Sequence, residues 1–140
     1  GLRMAVLARA HRQRMDARLE KDSLTSAQLR VLGDIMELEN QGVPEINQRD
    51  LEKHVRVTHP TMTGLIQRLE AKGFVSTMPS PTDRRYKKIV STEKAQHFQK
   101  LVADQDEQIF AELCRGLDQK DIDAFYRITD VMLANLEEET

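Results

Sequence analysis

The residues best suited to bind a charged partner lie in the middle of the chain. Residues 43–94 hold ten Lys and Arg against six Asp and Glu, whereas residues 95–140 hold four bases and eleven acids. Two basic pairs, Arg84-Arg85 and Lys87-Lys88, follow a turn-rich stretch that contains two prolines. Concentrated positive charge attracts polyanions, so this middle segment is a candidate nucleic-acid surface although the formal net charge is −2. Ordinary variation of surface charge is the competing interpretation.

Metal binding and thiol chemistry have weaker support. The four histidines are His11, His54, His59 and His97, and no two have the i, i+4 spacing that places two ligands on one helix face. We therefore expect no metal and no cofactor. Cys114 is the single cysteine, which excludes an internal disulfide, and we favour an incidental role over redox sensing.

The remaining composition excludes several classes of protein. No glycine-rich phosphate loop or nucleophile elbow occurs, so we expect no enzyme. No apolar run approaches the roughly 18 residues of a membrane span, and no signal peptide is recognised. A chain of 140 residues suits one domain, or one domain with an extension. Because a single cysteine suits a reducing compartment, we expect the protein in the cytoplasm.

Helix signals place the candidate residues on defined elements. The sequence predicts helices over 3–20, from Thr25 to Gly42, from Asn47, from Thr58 to Gly73, from Thr92 to about 115, and from Asp118. Thr25 with Gln28, and Asn47 with Asp50, have the spacing of capping boxes. Residues 74–77 and 84–90 read as two strands around a turn-rich tip at 78–83.

The helix at 58–72 has two contrasting faces. Met62, Leu65, Ile66 and Leu69 form its apolar face, and the opposite face carries His59, Thr61, Thr63, Gly64, Gln67 and Arg68. A helix of this kind can pack on a core and offer small polar groups to base edges in a major groove. Together with the preceding short helix and the following hairpin, it predicts a mainly α fold with a small β-hairpin wing, that is, a winged helix-turn-helix.

The sequence resembles the MarR family of transcriptional regulators over nearly its whole length. The resemblance is carried by the segments 24–32, 57–75, 83–85 and 92–95, which correspond to the approach to the motif, the recognition helix, an Asp-x-Arg wing and a Thr-Glu-Lys helix start. It implies a homodimeric repressor on a pseudo-palindromic operator. Residues 1–24 and 92–140 would form the dimerisation region, and 25–91 the DNA-binding lobe.

The resemblance also implies roles for particular residues. Arg85 would enter the minor groove beside Arg84, and Asp83 would orient it. The expected DNA-binding set is His59, Thr61, Thr63, Gln67, Arg68, Arg84, Arg85 and Lys87. Some members of the family bind small aromatic or lipophilic effectors, but the sequence nominates no effector residues, and no membrane partner is expected.

Departures from the family pattern keep an alternative open. Gly64 stands at a position where arginine is frequent in the family. Thr77 and Met78 stand where a basic residue is frequent, and Ser91 stands where leucine is usual. These departures and the negative total charge motivate the alternative of a winged-helix protein-interaction module without DNA binding. Arg68 in particular has two interpretations, either DNA contact or an ion pair with a carboxylate near the helix end.

Overall fold

The computed structural model describes residues 1–19 and 24–137, which form six helices and one β-hairpin. The elements are α1 Leu2–Arg18, α2 Ser26–Asn40, α3 Gln48–His54, α4 His59–Ala71, β1 Val75–Pro79, β2 Lys87–Ser91, α5 Glu93–Leu113 and α6 Gln119–Glu137. The predicted mainly α fold with a small hairpin is therefore confirmed. The predicted end of the first helix, at residue 20, lies outside the described residues.

The chain divides into two compact units. The central unit is Asp16–Asp104, and the terminal unit combines Gly1–Met15 with the described part of Gln105–Thr140. The central unit thus holds α2, α3, α4 and the hairpin, which are the elements that carry the candidate residues. No helix of the described residues is long and apolar enough to span a membrane.

Capping side chains set the starts of the first two helices in the central unit. At α2 the Thr25 hydroxyl accepts the Gln28 N–H at 3.2 Å, and the Gln28 side chain accepts the Thr25 N–H at 3.3 Å. At α3, Asn47 and Asp50 satisfy one another's N–H groups at 3.0 Å each. Each cap contributes about 1 kcal/mol by satisfying donors that have no partner within the helix.

The core of the central unit is formed by one face of each of these helices and by the hairpin. Ile35 of α2, Leu51 of α3 and Leu69 of α4 are 0% exposed, and Phe74, just before β1, is 1% exposed. Phe74 packs edge-to-face on Phe98 of α5, with ring centroids 5.3 Å apart. Since Leu69 belongs to the apolar face predicted from spacing, burial of that face leaves the polar face of α4 toward solvent.

The two strands pair antiparallel, with Val75 opposite Ser91 and Pro79 opposite Lys87. The return strand therefore begins at Lys87, so the prediction of a strand from residue 84 is wrong at its start. The Tyr86 N–H donates to Asp83 O at 3.1 Å, which makes a turn of the residues between them and places Arg84 and Arg85 at the tip. The Ile89 N–H donates to Ile46 O at 2.8 Å, which ties β2 to the segment before α3.

The terminal unit is held by polar bonds and a small aromatic cluster. His11 Nε2 lies 2.8 Å from Asp106 Oδ1, and the Phe110 ring lies 5.6 Å from the rings of both Phe125 and Tyr126. Neither α1 nor α6 has a buried residue. These two helices therefore leave their apolar side chains largely uncovered within one chain.

Candidate nucleic-acid interface

The N-terminus of α4 is fixed by a threonine cap. The Thr58 side chain accepts the Thr61 N–H at 3.4 Å, and the two threonine hydroxyls lie 2.9 Å apart. Pro60 occupies the first turn, where a missing N–H leaves no bond unmade. Thr61, a predicted contact residue, is exposed next to this cap.

Gln48 joins the two helices of the helix-turn-helix. Its Nε2 donates to Glu52 Oε1 at 2.9 Å within α3 and to Thr63 Oγ1 at 2.8 Å in α4. His59 Nδ1 lies 2.7 Å from the same Glu52 oxygen. The Gln48 amide, followed by the His59 contact, holds the pKa of Glu52 below its usual value. The Gln48 and Glu52 side chains thus help to fix the angle between α3 and α4, although neither was predicted from the sequence as a site residue.

This network changes the expected roles of two predicted residues. The Thr63 hydroxyl donates to the backbone oxygen of His59 at 3.0 Å while accepting from Gln48, so it already has partners within the protein. His59 is 72% exposed but pairs with Glu52. Both residues lie on the face of α4 predicted to bind DNA, but in this structure their side chains bond to other residues of the protein.

Gln67 and Arg68 are exposed near the end of α4. No carboxylate among the described residues forms an ion pair with Arg68, so the alternative of an internal pair is not seen. The Arg68 guanidinium instead lies against Gly64, one turn earlier. Gln67 and Arg68 therefore present an amide and a cation to solvent, which are the groups that pair with adenine and guanine edges.

We call the hairpin 75–91 with its turn the wing. At the tip of the wing, the carboxylate of Asp83 holds the guanidinium of Arg85. Asp83 accepts Arg85 Nε at 3.0 Å and Arg85 Nη2 at 2.7 Å, and also the Arg85 backbone N–H at 3.1 Å. The Arg85 side chain remains 81% exposed. The ion pair lowers the pKa of Asp83, mainly through the side-chain bond to Arg85, and raises the pKa of Arg85. Arg85 keeps a full charge in a defined orientation, with the other guanidinium donors available to a ligand.

An aromatic ring supports the same tip. The Tyr86 hydroxyl accepts from Arg49 Nη1 at 3.1 Å, and the guanidinium carbons of Arg49 and Arg85 lie 5.5 and 5.8 Å from the ring centroid. Cation–π attraction at this distance adds about 0.5–1 kcal/mol per pair at exposed sites. Arg49, at the start of α3, thereby joins the positive surface of the wing.

The wing is tied near its tip to the segment before α3. Ser80, which is 4% exposed, donates its hydroxyl to Glu45 Oε2 at 2.7 Å, and Thr82 donates to the same oxygen at 2.9 Å. Both hydrogen bonds lower the pKa of Glu45, and the one from Ser80 has the larger effect. The wing therefore carries a polar anchor beside its tip, in which the Ser80 side chain is buried.

The predicted site residues fall into two groups, one on α4 and one on the wing. His59, Thr61, Thr63, Gln67 and Arg68 lie on α4, and Arg84, Arg85 and Lys87 lie at the tip and the start of β2. Five further residues of this region were not predicted from the sequence: Glu45, Gln48, Arg49, Ser80 and Tyr86. For Ser80 a signal existed, since a Ser-Pro-Thr-Asp run is typical of turns closed by side-chain hydroxyls. Gln48 and Glu45 gave none, because their partners lie 15 and 35 residues away.

Within residues 1–19 and 24–137, no group of three or more His, Cys, Asp or Glu side chains is arranged to hold a metal ion. Cys114 is a partly exposed free thiol.

A helix-turn-helix followed by a two-stranded basic hairpin defines the winged-helix class of proteins. The model of the MarR family matches residues 24–87, which run from the start of α2 into β2. The resemblance to the MarR family found in the sequence is thereby confirmed for residues 24–87, the winged-helix part of the chain.

Solved structures agree with this fold. YusO from Bacillus subtilis aligns with a TM-score of 0.79 and 20% identity, covering 95% of this chain and 91% of that one. A complex of Staphylococcus aureus MepR with DNA aligns at 0.76 and 21% identity, covering 94% and 96%. MepR bound to ethidium bromide aligns at 0.69 and 21% identity, covering 95% and 93%. At these identities the likeness describes the fold.

Proposed function

We propose that the chain is a sequence-specific DNA-binding regulator that acts as a homodimer on a pseudo-palindromic operator. The observation that carries the proposal is the pairing of two exposed surfaces on one central unit. One is the polar face of α4, with Gln67 and Arg68 outward. The other is the wing tip, where Asp83 orients the 81% exposed Arg85. The DNA complex of structurally similar MepR supports the same use of the fold.

The mechanism begins with electrostatic capture by the basic middle of the chain, which favours encounter with DNA over other partners. The exposed face of α4 then reads base edges in the major groove, and Arg85 enters the adjacent minor groove or binds its phosphates. Arg84 and Lys87, both exposed, add backbone contacts.

Homodimer formation is supported by the uncovered apolar surface of α1 and α6. The large exposed hydrophobic side chains of these helices are Leu2, Met4, Val6, Leu7, Phe125, Tyr126, Ile128, Val131, Met132, Leu133 and Leu136. Many large apolar side chains exposed on two helices mark an interaction site, and a two-fold dimer covers the same face on both copies. Residues 1–24 and 92–140 are accordingly our proposed dimerisation region, and 25–91 the DNA-binding lobe.

We further propose repression, with relief by a small aromatic or lipophilic effector. A dimer that occupies a promoter excludes other proteins from it. A ligand that favours a different separation of the two DNA-binding lobes would lower the affinity for the operator. The ethidium complex of the similar protein MepR supports an aromatic ligand.

The experiment starts by selecting DNA from a random pool with the purified protein. We expect enrichment of a pseudo-palindrome whose half-sites lie about one or more helical turns of 10–10.5 base pairs apart. Affinity for that site is then measured against salt concentration by fluorescence anisotropy. Arg85→Ala is expected to lower the affinity and to reduce the slope of log K against log salt by about one.

The matched control is Arg115→Ala, which removes an equal charge from an exposed position outside the central unit. It should leave the slope unchanged. Failure to enrich any site, together with equal binding of wild-type protein to all DNA or to none, contradicts the proposal and favours a protein-interaction module.

A further inference from the structure

Glu45 reaches from the segment before α3 to the wing. Its Oε2 accepts hydroxyl hydrogens from Ser80 at 2.7 Å and from Thr82 at 2.9 Å, which are 35 and 37 residues further along the chain. Bonds to an ionised acceptor are roughly twice as strong as neutral ones. One carboxylate oxygen therefore restrains the wing at two positions.

Ser80 passes this restraint toward the tip. Its hydroxyl oxygen also accepts the backbone N–H of Thr82 at 3.3 Å and that of Asp83 at 3.2 Å. The side chain is almost fully buried, at 4% exposure, so water does not readily replace these bonds. The position of Asp83 thus depends on an oxygen whose own hydrogen is held by Glu45.

Asp83 completes the series by binding Arg85 through Nε and Nη2. Continuous hydrogen bonds therefore run from Glu45 through Ser80 and Asp83 to the wing arginine. We infer that Glu45 and Ser80 are positioning residues that hold Arg85 in the orientation in which it binds DNA. This inference rests on the proposed DNA-binding function.

Packing alone does not fix this part of the wing. A cavity of about 160 Å³ adjoins the anchor and is lined in part by Asn47, Tyr86 and Lys88. Because the anchor borders this open space, side chains pack against it on fewer sides and polar bonds carry more of the restraint. A two-stranded hairpin is also marginal by itself, which makes its attachments decisive for the geometry of the tip.

Charge gives the test a clear sign. Glu45→Gln removes one negative charge, so a purely electrostatic effect would strengthen DNA binding. A positioning role predicts the opposite, with affinity for the selected operator about 3–10-fold weaker. Ser80→Ala breaks the same series without changing charge and is expected to weaken binding similarly. Glu107→Gln, an exposed carboxylate of the terminal unit, is the charge-matched control and should not weaken binding.

A double-mutant cycle shows whether the effect passes through Arg85. In the Arg85→Ala background, Glu45→Gln should change affinity by less than about twofold, since the group it positions is gone. An equal loss in both backgrounds would overturn the inference, as would unchanged or stronger binding by both Glu45→Gln and Ser80→Ala.

A second readout needs no DNA. Trypsin should cut after Arg84 and Arg85 faster in the folded Glu45→Gln and Ser80→Ala proteins, and the Thr82 and Asp83 amides should exchange faster. Thermal unfolding confirms that each variant is folded. If trypsin and exchange show no loosening, the anchor itself is wrong. If the wing loosens while even the wild-type protein binds no DNA, the proposed function fails and with it the DNA role of the anchor.

Discussion

The Arg68 guanidinium lies over Gly64, so that a Cβ atom at residue 64 would stand 3.3 Å from Arg68 Nη1. Helical side chains tilt toward the N-terminus and cover the preceding turn, which explains why a side chain from residue 68 reaches this place. The glycine leaves room for it. Because one helical turn is about 5.4 Å long, reaching back by one turn brings the Arg68 guanidinium that much nearer the N-terminal part of the recognition helix, where base contacts concentrate.

The first prediction tests this relationship. Gly64→Leu places a side chain where the guanidinium lies and is expected to lower operator affinity about tenfold, as is Arg68→Ala, the size of a lost arginine–guanine contact. Gly64→Ala should raise the free energy of unfolding by about 0.5–1 kcal/mol and lower affinity less than Gly64→Leu. Anisotropy titration and chemical denaturation measure the two effects.

Gly33→Ala is the matched control, because this glycine is also helical and a Cβ there would meet nothing within 4 Å. It should stabilise the protein without changing affinity. The double variant Gly64→Leu with Arg68→Ala should bind like Arg68→Ala alone. A much weaker double variant would show that residue 64 meets DNA directly and would disprove the relationship.

The second prediction concerns the titration of Asp83. Its pKa is lowered from an ordinary 3.8, chiefly by the Arg85 side chain, and NMR of the carboxyl carbon can follow it. Arg85→Ala should return the pKa toward that ordinary value, whereas Arg84→Ala should not, since among the described residues no hydrogen bond or ion pair joins Arg84 to Asp83. Equal shifts in the two variants would mean that general positive charge, and not the pair, is responsible.

The sign of the pH dependence follows from that shift. A carboxylate with a lowered pKa in the folded state stabilises the native wing at pH values above its ordinary pKa. The contribution is lost as the pH falls through the lowered value, where protonated Asp83 releases Arg85. The orientation of the wing arginine should thus be unchanged from neutral pH down to about pH 5.

How far sequence could predict this protein depends on the distance between partners. The caps at Thr25 and Asn47 were predictable because both halves of each box stand three residues apart. The buried face of α4 followed from helical spacing. The bond from Ser80 to Glu45 could not be predicted, since it joins residues 35 apart whose approach depends on the completed fold. The late start of β2 has a different cause. The turn closed by Asp83 and Tyr86 is local, but it takes up residues whose composition also suits a strand.

The third prediction concerns the apolar surface of α6. Met132 and Leu136 stand one turn apart and are 49% and 65% exposed in a single chain. If a second copy covers them, replacing both by Lys places two charges in an apolar interface, which costs several kcal/mol and should dissociate the dimer. Sedimentation equilibrium should give twice the chain mass of 16.1 kDa for the wild-type protein and one chain mass for the variant.

Asp130→Lys is the control for this experiment. Asp130 is exposed two residues from Met132, on the opposite side of the helix, and the substitution changes its charge by two. This variant should remain a dimer. The Met132→Lys/Leu136→Lys protein should also lose affinity for the full operator much more than for a single half-site, because only a dimer gains from binding two linked half-sites. A variant that stays dimeric and binds the operator normally would place the interface away from this face of α6.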